Sequence, residues 1–204
     1  NNRMEDYLIC LRKFYNLADY LTINISSPNT ENLRSFHNED ELNELLNLIE
    51  KEKKILKTTV PITVKISPDI EDENINIISD LLLKHNVEAL IVSNTTDKSR
   101  ENLSNINKLE KGGLSGKPLE KRSNELINKF YKILKNKVKI IGVGGVDSGQ
   151  SAYQKIISGA SLVQLYTGMI YQGPSIASKI SEELINILDK EGVKNISDAV
   201  GSKN

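Results

Sequence analysis

A chain of 204 residues is about the length of one domain, and its 27 basic and 27 acidic residues balance without a long block of either sign. That balance excludes the basic footprint of a nucleic-acid-binding surface, and no apolar run approaches the ~18 residues of a membrane span. The single cysteine, Cys10, excludes an internal disulfide framework and any multi-cysteine metal or iron–sulfur motif.

Asn1-Asn2-Arg3 is neither an initiator nor a signal peptide, and Met4 runs at once into a helical pattern. Residues 5–16 space Tyr7, Leu8, Leu11, Phe14 and Tyr15 as a helix face does, and Cys10 among Leu8, Ile9 and Leu11 is expected to pack in the core. Tyr20-Leu21-Thr22-Ile23 then reads as a buried strand, ending in the polar mouth Asn24-Ile25-Ser26-Ser27-Pro28-Asn29-Thr30. Residues 31–38 form a polar loop fit to serve as a lid. A helix follows to Leu56, with Leu42, Leu45, Leu46, Leu48 and Ile49 as its apolar stripe.

Pro61 opens a strand over residues 62–66, closed by Ser67-Pro68-Asp69. Residues 72–85 read as a helix with Ile75, Ile77, Ile78, Leu81 and Leu82 inward, and 89–92 as a strand running into Ser93-Asn94-Thr95-Thr96. A long polar excursion carries Gly112-Gly113-Leu114-Ser115-Gly116, and Pro118 sets up a helix over 119–135. A strand at 138–143 enters Gly144-Gly145, Ser148 is the expected N-cap of a helix at 149–157, and a last strand spans 160–165. A helix at 174–190 and a short turn with a fraying tail over 195–204 complete the chain.

Five strands alternating with helices predict an α/β fold with a parallel sheet. Polar residues and glycines at the carboxyl ends of those strands point to a (β/α)8 TIM barrel, of which this chain covers about the last five strands. The sequence therefore predicts that residues 1–204 are the C-terminal part of one barrel domain whose first strands lie upstream, leaving strand 18–24 as an unpaired edge. An open doubly wound sheet is the rival, but the first strand–helix turn lacks the dinucleotide glycine fingerprint.

The glycine groups after the third, fourth and fifth strands, Gly112–Gly116, Gly142–Gly145 and Tyr166-Thr167-Gly168, let backbone N–H groups approach an anion, and barrels hold phosphates at the last two strands. Lys65 lies inside an apolar strand, where an unpaired ammonium costs several kcal/mol and demands an anionic or polarisable partner. No acidic residue in the neighbouring strand mouths offers itself. Asn24, Asn29 and Asn94 each carry a donor and an acceptor and Thr95 adds a hydroxyl, which suits a planar amide- or imide-bearing ligand better than a metal. No His, Asp or Glu cluster has ligand spacing; His37 and His85 are expected at the surface or as caps, and Asp69 and Asp97 in turns. The serines of 24–30 form no Ser-His-Asp system, although one could act as a base if hydride departure and a relay accompany proton removal.

Asn24–Thr30, Val64-Lys65-Ile66, Ser93–Thr96, Gly113–Leu119, Ile141–Gly145 and Gly159–Tyr166, in this order, resemble the dihydroorotate dehydrogenase family, in its quinone-linked, membrane-associated class 2. The resemblance covers essentially the whole chain, and six motifs in register are far more specific than any one. It implies an FMN-binding barrel that oxidises dihydroorotate to orotate in pyrimidine synthesis and passes the electrons to a quinone. Ser27, where the soluble class carries cysteine, would be the base, with Thr30 assisting proton relay. Asn24, Asn29, Asn94 and Thr95 would bind the pyrimidine. Asn24, Lys65 and Ser93 would approach the flavin, Lys65 at its N1–O2 edge. Gly116, Gly145, Tyr166 and Thr167 would hold the ribityl and phosphate. The resemblance also implies peripheral association with a bacterial or mitochondrial inner membrane through an N-terminal segment that has no counterpart here, and no nucleic-acid partner. Another FMN barrel oxidoreductase, a phosphate-binding barrel without redox chemistry, and a half-barrel acting as an assembly module are the alternatives the residues leave open.

Overall fold

Parallel strands need long crossovers, and helices supply them throughout this chain. The computed structural model describes residues 3–98, 100–101 and 103–203. It begins with α1 (Arg3–Phe14) and β1 (Leu21–Asn24), followed by α2 (Glu39–Leu56), β2 (Ile62–Ile66), α3 (Asp72–Lys84) and β3 (Ala89–Val92). After the long loop come α4 (Glu120–Leu134), β4 (Lys139–Val143), α5 (Gly149–Ile157), β5 (Leu162–Gln164), α6 (Thr167–Gln172), α7 (Ile176–Glu191) and α8 (Ile196–Ala199). The five strands pair in chain order, all parallel. A doubly wound sheet reverses its order at a switch point; this one does not, and it has the strand order of an incomplete barrel.

In-register residues form rows across the sheet, and successive rows face opposite sides. Ile23, Val64, Leu90 and Ile140 make one row, fully or almost fully buried beneath the helices. Against it pack Leu42, Leu45, Leu46 and Ile49 of α2, Ile75, Ile78, Leu81 and Leu82 of α3, and Leu126, Ile127, Phe130 and Leu134 of α4. The next row, on the other face, is Asn24, Lys65, Ile91, Ile141 and Leu162. Four steps of ~4.8 Å would hold β1 and β5 about 19 Å apart in a flat sheet. Yet Gln164 Nε2 of β5 donates to the hydroxyl of Tyr20, just before β1, at 3.3 Å. The sheet therefore curls, and the Asn24–Leu162 row lies on its hollow face.

Several expectations are corrected. Cys10 is exposed, because α1 turns Leu8 and Leu11, three residues apart, into the core and leaves Cys10 between them on the outside. The expected polar loop at 31–38 contains a 3-10 helix, Leu33–His37, whose Phe36 is fully buried. Phe36 meets Tyr7 edge-on at 5.8 Å, and the Arg3 guanidinium lies 4.9 Å from its ring centre. His37 is buried rather than at the surface, whereas His85 is the C-cap of α3, as expected, with its ring against Glu50 and Asn43. Ser148 caps α5 in a reciprocal capping box with Ser151, also as expected. Sequence periodicity missed the short helix α6, and Asn204, at the end of the expected tail, lies outside the described residues.

His37 ties the segment after β1 to the mouth of β2. Its Nε2 accepts the Ser67 N–H at 3.3 Å, which requires the proton on Nδ1, donated to the Arg34 carbonyl at 2.9 Å. Burial pushes its pKa down from 6.5 to about 4; the Arg34 carbonyl opposes the shift and the Arg34 charge adds to it. The unfolded chain thus binds this proton from pH 6.5 downward, while the folded chain resists it until about 4. Stability from the neutral ring is complete above pH 6.5 and is lost as pH falls towards 4, by roughly 2–3 kcal/mol. Urea unfolding at pH 7 and pH 4.5 should show a smaller difference for His37→Gln than for the native chain.

Candidate active site

Asn24 and Lys65 are register partners at the carboxyl ends of β1 and β2. Ile25 and Ser26 beyond β1 are fully buried, so the polar residues that follow leave from a fixed base. Asn94 Nδ2 donates to Asn24 Oδ1 at 3.2 Å and to Ser26 Oγ at 3.0 Å, while its Oδ1 accepts the Thr95 N–H at 2.8 Å. Ser26 Oγ also donates to Asn24 Oδ1 at 3.0 Å. These bonds fix which way both amides face. The Asn24 carbonyl accepts the Tyr7 hydroxyl at 2.8 Å; burial pushes that phenol up to about 12, so it serves as a neutral donor.

Beside this network the ends of β2 to β5 enclose a cavity of about 340 Å³. Lys65, Ser93-Asn94-Thr95, Ser115-Gly116, the stretch 143–147 and the stretch 165–168 line it. Lys65 is half-buried, its side chain has no hydrogen-bond or ion-pair partner among the described residues, and burial lowers its pKa. Gly116, Gly144 and Gly145 hold φ values of +80°, +112° and +75°, which present main chain where other residues carry a side chain. A Cβ at Gly116 would lie 2.9 Å from Thr167 Cγ2, and one at Gly145 would lie 2.5 Å from Glu120 Cβ. Thr167 and Ser115 pair their hydroxyls at 2.8 Å at the N-terminus of α6. Glycine loops after the last two strands, together with the N-terminus of a short extra helix, are how barrels hold a phosphate.

Of the predicted residues, Lys65, Ser93, Asn94, Thr95, Gly116, Gly145, Tyr166 and Thr167 border this one cavity. Asn24 joins it through Asn94. Ser27, Asn29 and Thr30 lie outside its lining: Ser27 is half-buried with Oγ accepting the Asn29 N–H at 3.2 Å, and Asn29 and Thr30 are exposed. They stay close by, since the space a Cβ of Gly113 would take is occupied by Thr95 and, at 3.0 Å, by Pro28 Cγ. Tyr166, just before α6, borders the cavity with its residue 70% exposed.

Sequence reasoning missed Ser115, Lys117, Asp147 and Lys155. Lys117 joins Glu120 and Asp147 across the cavity's outer edge, at 2.5 and 3.4 Å, and the Glu120 carboxylate raises its pKa. Lys155 is fully buried; its Nζ donates to Ser123 Oγ at 3.0 Å and Asn124 Oδ1 at 3.1 Å, and burial pushes its pKa down to about 7. Its stem runs over Gly142, lying 3.0 Å from where a Cβ would be. Helical spacing held the signal for Lys155, which falls on the Ala152–Ile156 face that α5 buries.

The arrangement offers directed amides and hydroxyls to a planar, hydrogen-bonding ligand, an ammonium beside them, and a glycine cradle for an anion. Among the described residues no group of three or more His, Cys, Asp or Glu could hold a metal ion.

The family profile described as dihydroorotate dehydrogenase matches residues 1–188. The dihydroorotate dehydrogenase (quinone) of Trichodesmium erythraeum is 43% identical over 98% of this chain, and that of Nitrosomonas europaea 46% identical over 87%. The chain spans about half the length of these curated relatives, 54% and 53%. Two solved structures of DHODH from Eimeria tenella, one with ferulenol and one ligand-free, superpose on the whole chain. Their TM-scores are 0.95 and 0.96, at 37% and 36% identity, and the chain covers 58% and 61% of them.

Gly145 and Gly173 both hold positive φ, but only Gly145 is crowded: a Cβ at Gly173 would find nothing within 4 Å. Gly173→Ala should therefore destabilise by roughly 1–3 kcal/mol, the cost of a backbone region open almost only to glycine. Gly145→Ala should cost roughly 2–4 kcal/mol, because the new methyl must also displace Glu120 at the start of α4. Equal losses in denaturant unfolding would show that crowding at Gly145 contributes nothing.

Proposed function

This chain belongs to the dihydroorotate dehydrogenase family, and we propose that it supplies the flavin- and substrate-binding half of an enzyme that oxidises dihydroorotate to orotate with FMN and passes the electrons to a quinone. The single observation that carries the reading is Lys65. It is a cation without a protein partner among the described residues, set between the Asn24–Ser26–Asn94 network and the glycine cradle. The amides and Lys65 suit a planar heterocycle and the glycine cradle suits a phosphate, which supports FMN as the occupant.

The oxidation removes a proton and a hydride from adjacent carbons and leaves a C=C bond. FMN, when bound, supplies the two-electron acceptor for the hydride. Ser27 takes the proton at Oγ as its own hydroxyl proton passes on to solvent, a relay that Thr30 assists. A serine hydroxyl is a weak base, so proton removal must be coupled to hydride departure. Asn24, Asn29, Asn94 and Thr95 hydrogen-bond the pyrimidine, and the amide orientations set by Ser26 and Thr95 N–H support that role. Lys65 and Ser93 would hold the ring system, and Gly116, Gly145, Tyr166 and Thr167 the ribityl and phosphate. No helix among the described residues is long and apolar enough to cross a membrane. Quinone use and peripheral association with a bacterial or mitochondrial inner membrane belong to the proposal through the Ser27 signature.

Two variants test it in the natural polypeptide that carries this chain. Ser27→Ala should slow flavin bleaching by dihydroorotate about 10²–10⁴-fold, the usual loss for a general base, while orotate binding holds. Near-normal bleaching would remove Ser27 from the mechanism. Lys65→Ala should lower FMN content and reduction potential more than it lowers the thermal midpoint of the apoprotein. The native ammonium gains a partner only when the site is filled, so an apoprotein loss equal to that of the loaded protein would argue for a structural lysine.

A further inference from the structure

Three loops meet above the hollow face, leaving β1, β2 and β3, and one side chain holds them together. Arg34, in the 3-10 helix after β1, reaches Asp69 Oδ2 in the loop after β2 at 3.2 Å and Asp97 Oδ1 in the loop after β3 at 2.9 Å. Its Nη2 also donates to the Thr95 carbonyl at 3.4 Å. Asp69 is nine-tenths buried and holds the third loop itself, accepting from the Thr96 hydroxyl and the Asp97 N–H. Thr96 pairs in turn with Leu114, beside Gly113, which sits against Thr95 and Pro28. We infer that Arg34 is a positioning residue for the reaction: it sets the Ser27–Thr30 segment against Asn94 and Thr95 by holding two carboxylates of separate loops on one guanidinium.

The electrostatics make this more than a tether. Asp69 and Asp97 carry like charges and face the same cation, so removing Arg34 leaves two carboxylates that repel and strains the Asp69 bonds to Thr96 and Asp97 that still link the loops after β2 and β3. Thr95 loses its carbonyl partner at the same moment, and Asn94, next in the chain, carries that shift to Asn24 and Ser26. The segment after β1 does not fall away, because buried Phe36 and His37 and the Arg3 bonds to the Asn32 carbonyl, Ser35 Oγ and Glu41 fasten it separately. Arg34 therefore acts on alignment at the mouth and not on the core. Lysine cannot replace it, since a single ammonium lacks the planar fork that reaches two carboxylates and a carbonyl.

The inference rests on the reading of the site as a dihydroorotate-oxidising one, and the test separates the two. In the natural polypeptide with FMN bound, single-turnover flavin bleaching by saturating dihydroorotate and orotate affinity are measured for the native protein, Arg34→Gln, Asp97→Asn and the double variant. Arg34→Gln should bleach about 10²-fold more slowly, the cost of a displacement of about 1 Å, with FMN content little changed and the thermal midpoint lowered, because nine-tenths-buried Asp69 loses its cation. Adding Asp97→Asn should recover part of that loss, because the repelling pair is gone; a structural tether would give no recovery. Native rates in Arg34→Gln, or a double variant slower than Arg34→Gln, would overturn the positioning role. A native protein whose flavin is untouched by dihydroorotate would overturn the reading beneath it. If Arg34→Gln fails to fold, Asp97→Asn alone decides, since Asp97 is half-exposed and its loss leaves the core intact; slower bleaching supports the role, and an unchanged rate overturns it.

Discussion

Every strand of this sheet runs in the same direction and pairs with its neighbour in the chain, so every loop leaving a strand's carboxyl end emerges on one rim. That constraint produces the site. Residues far apart in sequence, such as Asn24, Lys65, Asn94 and Gly145, become neighbours because each lies within two residues of a strand's carboxyl end. The curl recorded by the Tyr20–Gln164 bond then turns the rim into a hollow. In a flat sheet the amide network at one side and the glycine cradle at the other would lie too far apart to meet one ligand.

Two lysines show how the same fold treats buried charge in opposite ways. Lys155, on the helix side, has hydroxyl and amide partners in Ser123 and Asn124, and Ser123 in turn donates to the Val143 carbonyl, which also receives the Ser93 N–H. Its ammonium is held by neutral dipoles in the wall behind the cavity. Lys65, on the hollow side, has no such partners among the described residues. A lysine whose Nζ has polar partners in the wall belongs to the architecture; one left without an acceptor is poised for something that arrives.

The rim loops are held from both sides. Arg122 of α4 donates to the carbonyls of Pro68 and Ile70, fixing the loop after β2 from the helix side. Arg100 gathers the carbonyls of Lys108, Glu110 and Gly112, folding the long excursion so that Gly113 reaches Thr95. Arginine recurs here because its fixed fork can serve several acceptors at once, as loops without regular hydrogen bonding require.

Periodicity in the sequence was enough to determine the five strands, most of the helices and the parallel α/β class, because 2.0 and 3.6 repeats of apolar residues are local signals. The strand mouths were legible too, since Asn24, Lys65, Ser93 and the glycines stand out against apolar runs. What stayed hidden depended on contacts between distant segments. Phe36 and His37 sit in a stretch polar enough to read as loop, and only the arrival of Tyr7, Arg3 and Ser67 makes it a packed 3-10 turn. Cys10 looked like core because its neighbours are apolar, but a helix has one inner face, and the tertiary structure chose the side holding Leu8 and Leu11. Arg34, Asp69 and Asp97 are ordinary surface residues in the chain. Only the shared rim, which brings three loops within one guanidinium's reach, makes them a unit, because Coulomb attraction and hydrogen bonding depend on distance in space and not on separation along the sequence.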